Sequence, residues 1–154
     1  MLLDEWVDVD GPIRVMTEFE GEYLFASMNG ILRWNPVNET WLDSWTPGDG
    51  LPSSSEEEFY SMAVIENDLW LGTMEASGCN SNAQVLRKNG TDGNWTSWDL
   101  GTGDIPDGYP ADIKLCDDIV HIAIGARFFW GNQGGVARYD FADHDSDSLT
   151  NEWI

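Results

Sequence analysis

Near the C-terminal end, Asp143, Asp145 and Asp147 alternate, and Leu149 and Asn151 continue at the same step. Counted from Asp143 these are positions one, three, five, seven and nine. A calcium loop takes carboxylates from the first three, a backbone carbonyl from the seventh and an oxygen from the ninth. Asp143, Asp145, Asp147 and Asn151 are therefore candidate ligands of a weak Ca2+ site. Ser148 stands where such a loop has its turn glycine, and Ile154 where a bidentate Glu would close the shell. The competing reading is a polar hairpin of solvated aspartates. A second candidate is the run Phe128, Phe129, Trp130 between Ala126-Arg127 and Gly131. Three consecutive aromatics cannot all face inward from a strand whose side chains alternate. They are expected either to contact a protein or glycan ligand or to pack over a neighbouring sheet.

Other chemistry is weaker. His121 lies in an apolar run and reads as a hydrogen-bonded core histidine. The only other histidine, His144, sits in the acidic stretch, so no Ser/His/Asp arrangement forms. The run "GNQGG" lacks the Lys and the helix of a phosphate loop. Among 28 acidic residues no pair stands out as an acid and base. Asn38, Asn89 and Asn94 each begin a glycosylation acceptor pattern, a short match of little weight. Cys79 and Cys116 are too few for a disulfide framework and lack metal-site spacing; idle thiols or one bridge are both open.

The charge balance is 7 basic against 28 acidic residues, a net −21. That field repels nucleic acid and anionic lipid, so neither is expected as a partner. No apolar run approaches the roughly 20 residues of a membrane span. The opening "MLLDEWVDVDG" has acidic residues where a signal peptide has basic ones. Either the chain stays in the cell or an export signal lies outside it.

The elements that would position these groups repeat. "LRWNPVNETWLDSWTPGDGLP" at Leu32–Pro52 lines up with "LRKNGTDGNWTSWDLGTGDIP" at Leu86–Pro106, and Ala137-Arg138-Tyr139-Asp140 opens a third copy. Arg33, Arg87 and Arg138 occupy one repeat position. Upstream stand "EYLFASMNG", "NDLWLGTME" and "DIVHIAIGA", which align His121 with Phe25 and Trp70. The unit is roughly 45–55 residues long and occurs nearly three times. Its internal period is two, with short β-branched and aromatic runs fenced by Gly, Asn, Asp and Pro. Strands are expected at 13–19, 23–28, 31–35 and 40–46; at 58–65, 68–74, 83–88 and 94–99; and at 111–116, 119–125, 135–140 and 149–154. Tight turns are expected at Glu20-Gly21, Asn67-Asp68 and Asp117-Asp118. Trp41 and Trp45 should share one face of an outer strand, with "PGDGLP" returning the chain to the next unit.

Four antiparallel strands in about 50 residues make one blade of a β-propeller. The expected fold is all-β: three four-stranded blades at 11–52, 53–108 and 109–154, with 1–10 as the last strand of a preceding blade. Three blades do not close a ring. The chain is therefore read as part of a larger propeller, or as a unit that self-assembles through open blade edges.

"LWLGT" at Leu69–Thr73, "GGVARYD" at Gly134–Asp140 and "W…DGLPS" at Trp45–Ser53 resemble two-component regulator propeller repeats. The first unit departs from the pattern, with Phe25-Ala26-Ser27 in place of Trp-x-Gly-Thr. The resemblance implies an extracytoplasmic, sensor-type, non-catalytic recognition module. A fragment of a propeller enzyme acting on polysaccharide, and a purely structural surface repeat, are the alternatives. A convergent cluster of His, Arg or Tyr with carboxylates on the inner-strand loops would favour an enzyme; the inner strands offer mostly Ile, Val, Met and Thr.

Overall fold

The computed structural model describes residues 11–28, 30–48, 50–51, 57–75, 83–101, 108–126, 134–141 and 150–151. Among them every regular element is a strand, and the strands form three sheets. The first holds β1 (Val15–Phe19), β2 (Glu22–Ala26), β3 (Ile31–Asn35), β4 (Thr40–Pro47) and the two-residue β5 (Gly50–Leu51). The second holds β6 (Glu57–Ile65), β7 (Asp68–Glu75), β8 (Gln84–Lys88) and β9 (Trp95–Asp99). The third holds β10 (Tyr109–Cys116), β11 (Ile119–Gly125), β12 (Gly135–Asp140) and β13 (Thr150–Asn151). Neighbours in sequence are neighbours in each sheet, and all pairings are antiparallel except β4 with β5.

Local chemistry sets the hairpins. Glu20-Gly21 and Asp117-Asp118 take positive φ at both positions, the geometry whose twist matches two-residue hairpins. The middle hairpin turns at Glu66-Asn67, because Ile65 pairs with Asp68. This is one residue before the position expected from sequence. Asp68 is needed in the strand, where its carboxylate is buried and hydrogen-bonded. The repeated Asn of Leu-Arg-x-Asn shapes the next turn. Asn35 Oδ1 accepts the N–H groups of Val37 and Asn38, and Asn89 Oδ1 those of Thr91 and Asp92. These are Asx turns.

The middle sheet buries both faces, so its strands alternate between two cores. Leu69, Leu71 and Leu86 join Phe19, Leu24, Ala26, Ile31, Leu51, Phe59 and Met62 in a core shared with the first sheet. Trp70, Val85 and Trp98 join Ile113, Val120, Ile122, Ile124, Ala137 and Tyr139 in a core shared with the third. The first strands carry the joints: β6 lies against β1 and β2, and β10 against β6, β7 and β8. At the second joint Ser61 Oγ donates to the Pro110 carbonyl at 2.7 Å. A Cβ on Gly72 would lie 2.6 Å from Pro110 Cγ, so glycine permits that approach.

Two sequence expectations need correction. Trp41 and Trp45 do not share a face. Between Ile31↔Trp45 and Arg33↔Leu42 the register slips, so β4 carries one extra residue. Trp41 packs on Phe25 and Trp34, whereas Trp45 meets Trp95 of the second sheet. Second, Arg33, Arg87 and Arg138 pair across with Leu24, Trp70 and His121. His121 is therefore the counterpart of Leu24, not Phe25. "PGDGLP" also does more than connect, since its Gly50-Leu51 adds β5 to the first sheet.

Candidate ligand-contact site

Two of the repeated arginines, Arg33 and Arg87, hold ion pairs within their own sheets. Arg33 grips Glu22 through Nε and Nη2 at 2.8 and 2.9 Å, and Arg87 grips Asp68 at 2.6 Å. Glu22 and Asp68 both follow their hairpin turn directly, and Ile119 holds that place in the third sheet. Arg87 further reaches the Tyr139 hydroxyl and lies over the rings of Trp70, Tyr139 and Phe141. His121 Nδ1 stands 3.1 Å from the Ile119 carbonyl, but the residue is only half-buried, on the face of β11 opposite the core residues Val120 and Ile122, so it is not the core histidine expected from sequence.

A different cluster collects at the start of the first strands. Arg14, just ahead of β1, places its guanidinium 2.7 Å from Glu58 Oε2 of β6 and 4.4 Å from the ring centre of Tyr60. The Tyr60 hydroxyl donates to the same Glu58 oxygen at 2.8 Å. The Tyr60 ring lies 5.3 Å from that of Tyr109 on β10, tilted by 45°. Each of the three sheets thus contributes at least one side chain. A bulge aims Tyr60: Phe59 pairs with Thr73 and Ser61 with Gly72, which leaves Tyr60 as the extra residue. Bulges re-aim side chains in this way. Burial, and then the bond to the Glu58 carboxylate, hold the Tyr60 phenol above its ordinary pKa.

Chemically the cluster is a polar, aromatic surface. Glu58 accepts from both neighbours, so its charge is matched by Arg14. The Arg14 side chain is about one-third exposed, and only its Nη2 is bonded to Glu58. A guanidinium has five N–H donors, so this one can serve an incoming acceptor while the tyrosines offer ring faces. At the opposite end of β1, an open cleft of about 460 Å³ is lined by Glu18, Glu20, Gly21, Val64, Asn67 and Thr91.

Sequence reading passed over Arg14, Glu58, Tyr60 and Tyr109. One signal was available: Phe59 and Met62 both enter the same core although three residues apart. That slip in a period-two pattern marks the bulge at Tyr60. Of the residues proposed from sequence, Phe128, Phe129, Trp130, Asp143, Asp145 and Asp147 lie outside the described residues. Asn151 pairs through its backbone with Ala137, and its side chain is not among those described. No group of three or more candidate metal ligands occurs among the described residues. Cys116 is an exposed free thiol, and Cys79 lies outside the described residues.

No protein-family model matches the chain. No curated protein matches it either. Two crystal structures of the extracellular domain of BT4673 from B. thetaiotaomicron resemble it, one described as a hybrid two component system and one as a one component system. The first superposes with a TM-score of 0.61 at 15% identity over 96% of this chain. The second gives 0.58 at 18% identity over 97%. The chain spans 18% of the length of each. At such identity the likeness is one of fold.

Proposed function

We propose that the chain is a β-propeller recognition module of sensor type, extracytoplasmic and non-catalytic, with its ligand contact at Arg14, Glu58, Tyr60 and Tyr109. The observation that carries this reading is the convergence of one polar, aromatic cluster from the first strands of three successive sheets. First strands line the centre of a propeller, and loops at a channel mouth are where such folds place ligands. The likeness in fold to extracellular sensor domains supports the class. The β11–β12 connection, with Phe128, Phe129 and Trp130, leaves its sheet beyond Gly125, which pairs with Tyr109. Phe128, Phe129 and Trp130, outside the described residues, remain proposed contacts for a protein or glycan ligand on their sequence alone.

The cluster of Arg and Tyr with a carboxylate is the kind expected of an enzyme, so it counts toward that alternative. A catalytic tyrosine base needs a phenol that gives up its proton near the working pH. Tyr60 is pushed the other way, by burial and then by its bond to Glu58. This favours binding. The spacing of Asp143, Asp145, Asp147 and Asn151 supports a weak calcium site as an accessory feature, and calcium would then raise the melting temperature by mass action.

The test is a thermal-shift panel of soluble oligosaccharides and peptides against the chain, with Arg14→Ala and Tyr60→Ala alongside. A ligand that raises Tm in the parent and not in the folded variants supports the site. A ligand whose shift survives both substitutions overturns it.

A further inference from the structure

We infer that the contact site takes a ligand bearing a carboxylate, received by Arg14, and that Ala111 is the position that leaves room for it. The inference rests on the site proposed above and adds the chemical class of its ligand. Its evidence is a register position shared by the first strands of the three sheets, together with the hydrogen-bonding groups of Arg14 that the protein does not use.

The first strands can be counted back from their hairpin turns. The pairs next to the turns are Phe19↔Glu22, Ile65↔Asp68 and Cys116↔Ile119. The fifth pairs are Val15↔Ala26, Ser61↔Gly72 and Asp112↔Ala123. The residues just before them are Arg14, Tyr60 and Ala111. In β6 and β10 the register slips at this point, so Tyr60 and Ala111 are the extra residues of two equivalent bulges. In the first sheet the Arg14 N–H donates to the Ala26 carbonyl at 3.0 Å. The two bulges are tied together, because Ser61, next to Tyr60, bonds through Oγ to the carbonyl of Pro110, next to Ala111. Two of the three equivalent positions thus carry long side chains of the site. The third carries only a methyl group, and it is exposed. Three long side chains would fill the cluster with protein. With alanine as the third, the room beside the Tyr60 and Tyr109 rings is left to a ligand.

The charge that this site leaves open is the cation. The Arg14 side chain is 34% exposed and that of Glu58 only 13%. Glu58 Oε2 already accepts from both Arg14 and Tyr60. Arg14 spends Nη2 on that bond, which leaves Nε and Nη1 for an incoming acceptor. A carboxylate suits them best, because an ionised acceptor bonds a guanidinium roughly twice as strongly as a neutral one. The Tyr60 and Tyr109 rings, 5.3 Å apart and tilted by 45°, give the body of the ligand an angled aromatic wall. The field of a chain of net −21 opposes any anion. Salt screens that field beyond about 8 Å at physiological ionic strength, whereas the contact with Arg14 acts at hydrogen-bond distance. Anions without the contact are therefore turned away, and one that makes it is retained.

Benzoate and benzamide are the probes, two molecules of one shape that differ in a carboxylate against a neutral amide. NMR titration of the whole isotope-labelled chain at physiological salt reads both. Benzoate should move the Arg14 Nε–H signal and the backbone amides of Tyr60, Tyr109 and Ala111, with a Kd about tenfold or more below that of benzamide. Arg14→Gln should remove this preference. Ala111→Trp should weaken benzoate by about tenfold or more by filling the room, while Ala111→Gly should leave it within about threefold. Ala111 is exposed, so both variants keep the parent fold, and unchanged signals away from the site show it. Equal Kd values for the two probes, benzoate binding that survives Ala111→Trp, or no response to benzoate at the site overturns the inference. A neutral ligand from the thermal-shift panel that needs both Arg14 and Tyr60 overturns the carboxylate class and leaves the site standing. The site itself falls only by the thermal-shift test.

Discussion

Arg87 Nη1, on β8 of the second sheet, donates a hydrogen bond to the phenol oxygen of Tyr139 on β12 of the third, at 2.7 Å. The same guanidinium grips Asp68, and both side chains of that ion pair are largely buried, 14% and 10% exposed. One residue thus closes a hairpin within its sheet and fastens the next sheet to it. Arg87→Ala would strand the Asp68 carboxylate, a loss of about 3–5 kcal/mol. Tyr139→Phe removes only the bond between sheets, at about 1 kcal/mol. Urea unfolding should rank the two in that order. Equal losses would mean that the joint, not the buried pair, dominates.

Trp70 is fully buried, stacked on Trp98 at 5.8 Å with ring planes 5° apart and edge-on to Tyr139 at 5.2 Å. Truncation to alanine should cost about 3–5 kcal/mol. Met16, 61% exposed on the outer face of the first sheet, is the contrast. Met16→Ala should change the stability of the isolated chain by less than about 0.5 kcal/mol. Denaturant midpoints of the two variants check this, and a comparable cost for Met16 would show that its face is covered in solution.

Much of this architecture was legible, because it is written in nearest-neighbour chemistry. Eleven of the twelve expected strands fall where alternation and turn residues put them, the twelfth being described only at Thr150–Asn151, and the repeat at Arg33, Arg87 and Arg138 marks one register position in all three sheets. What escaped was the count of residues inside strands. An extra residue in β4 turned Trp41 and Trp45 to opposite faces, and one in β6 turned Tyr60 toward Arg14. A bulge costs little locally and is decided by what the re-aimed side chain finds in the next sheet. That information is absent from the strand's own pattern. The contact between Arg14 and Glu58 spans 44 positions for the same reason.

Glu66 holds φ at 59° in the hairpin between β6 and β7, and its side chain is exposed. Left-handed backbone costs a residue with a Cβ about 1 kcal/mol, and glycine avoids it. Glu66→Gly should therefore stabilise the chain by up to about 1 kcal/mol. It also removes one negative charge from a surface of net −21. Glu20 has a similar φ of 51°, but its carboxylate lies 3.5 Å from Lys88 Nζ, so its replacement should gain less. Thermal melts of the two variants side by side give the comparison, and a lower Tm for Glu66→Gly would refute it.

The Tyr60 phenol, held above its ordinary pKa by burial and then by its bond to Glu58, gives the site a signature at alkaline pH. A group whose pKa is raised on folding contributes stability that is complete below the unfolded value and lost as pH rises through the folded one. For a tyrosine the unfolded value is about 10. The stability difference between the parent and Tyr60→Phe should therefore be constant through neutral pH and shrink above about pH 10. Absorbance titration at the phenolate band should show a late-ionising step, and Tyr60→Phe should remove that step. Glu58→Gln should bring the step back toward the ordinary range, because the neutral amide no longer holds the phenol proton by charge. A late step that persists in Tyr60→Phe would place the perturbed tyrosine elsewhere and detach Glu58 from the cluster.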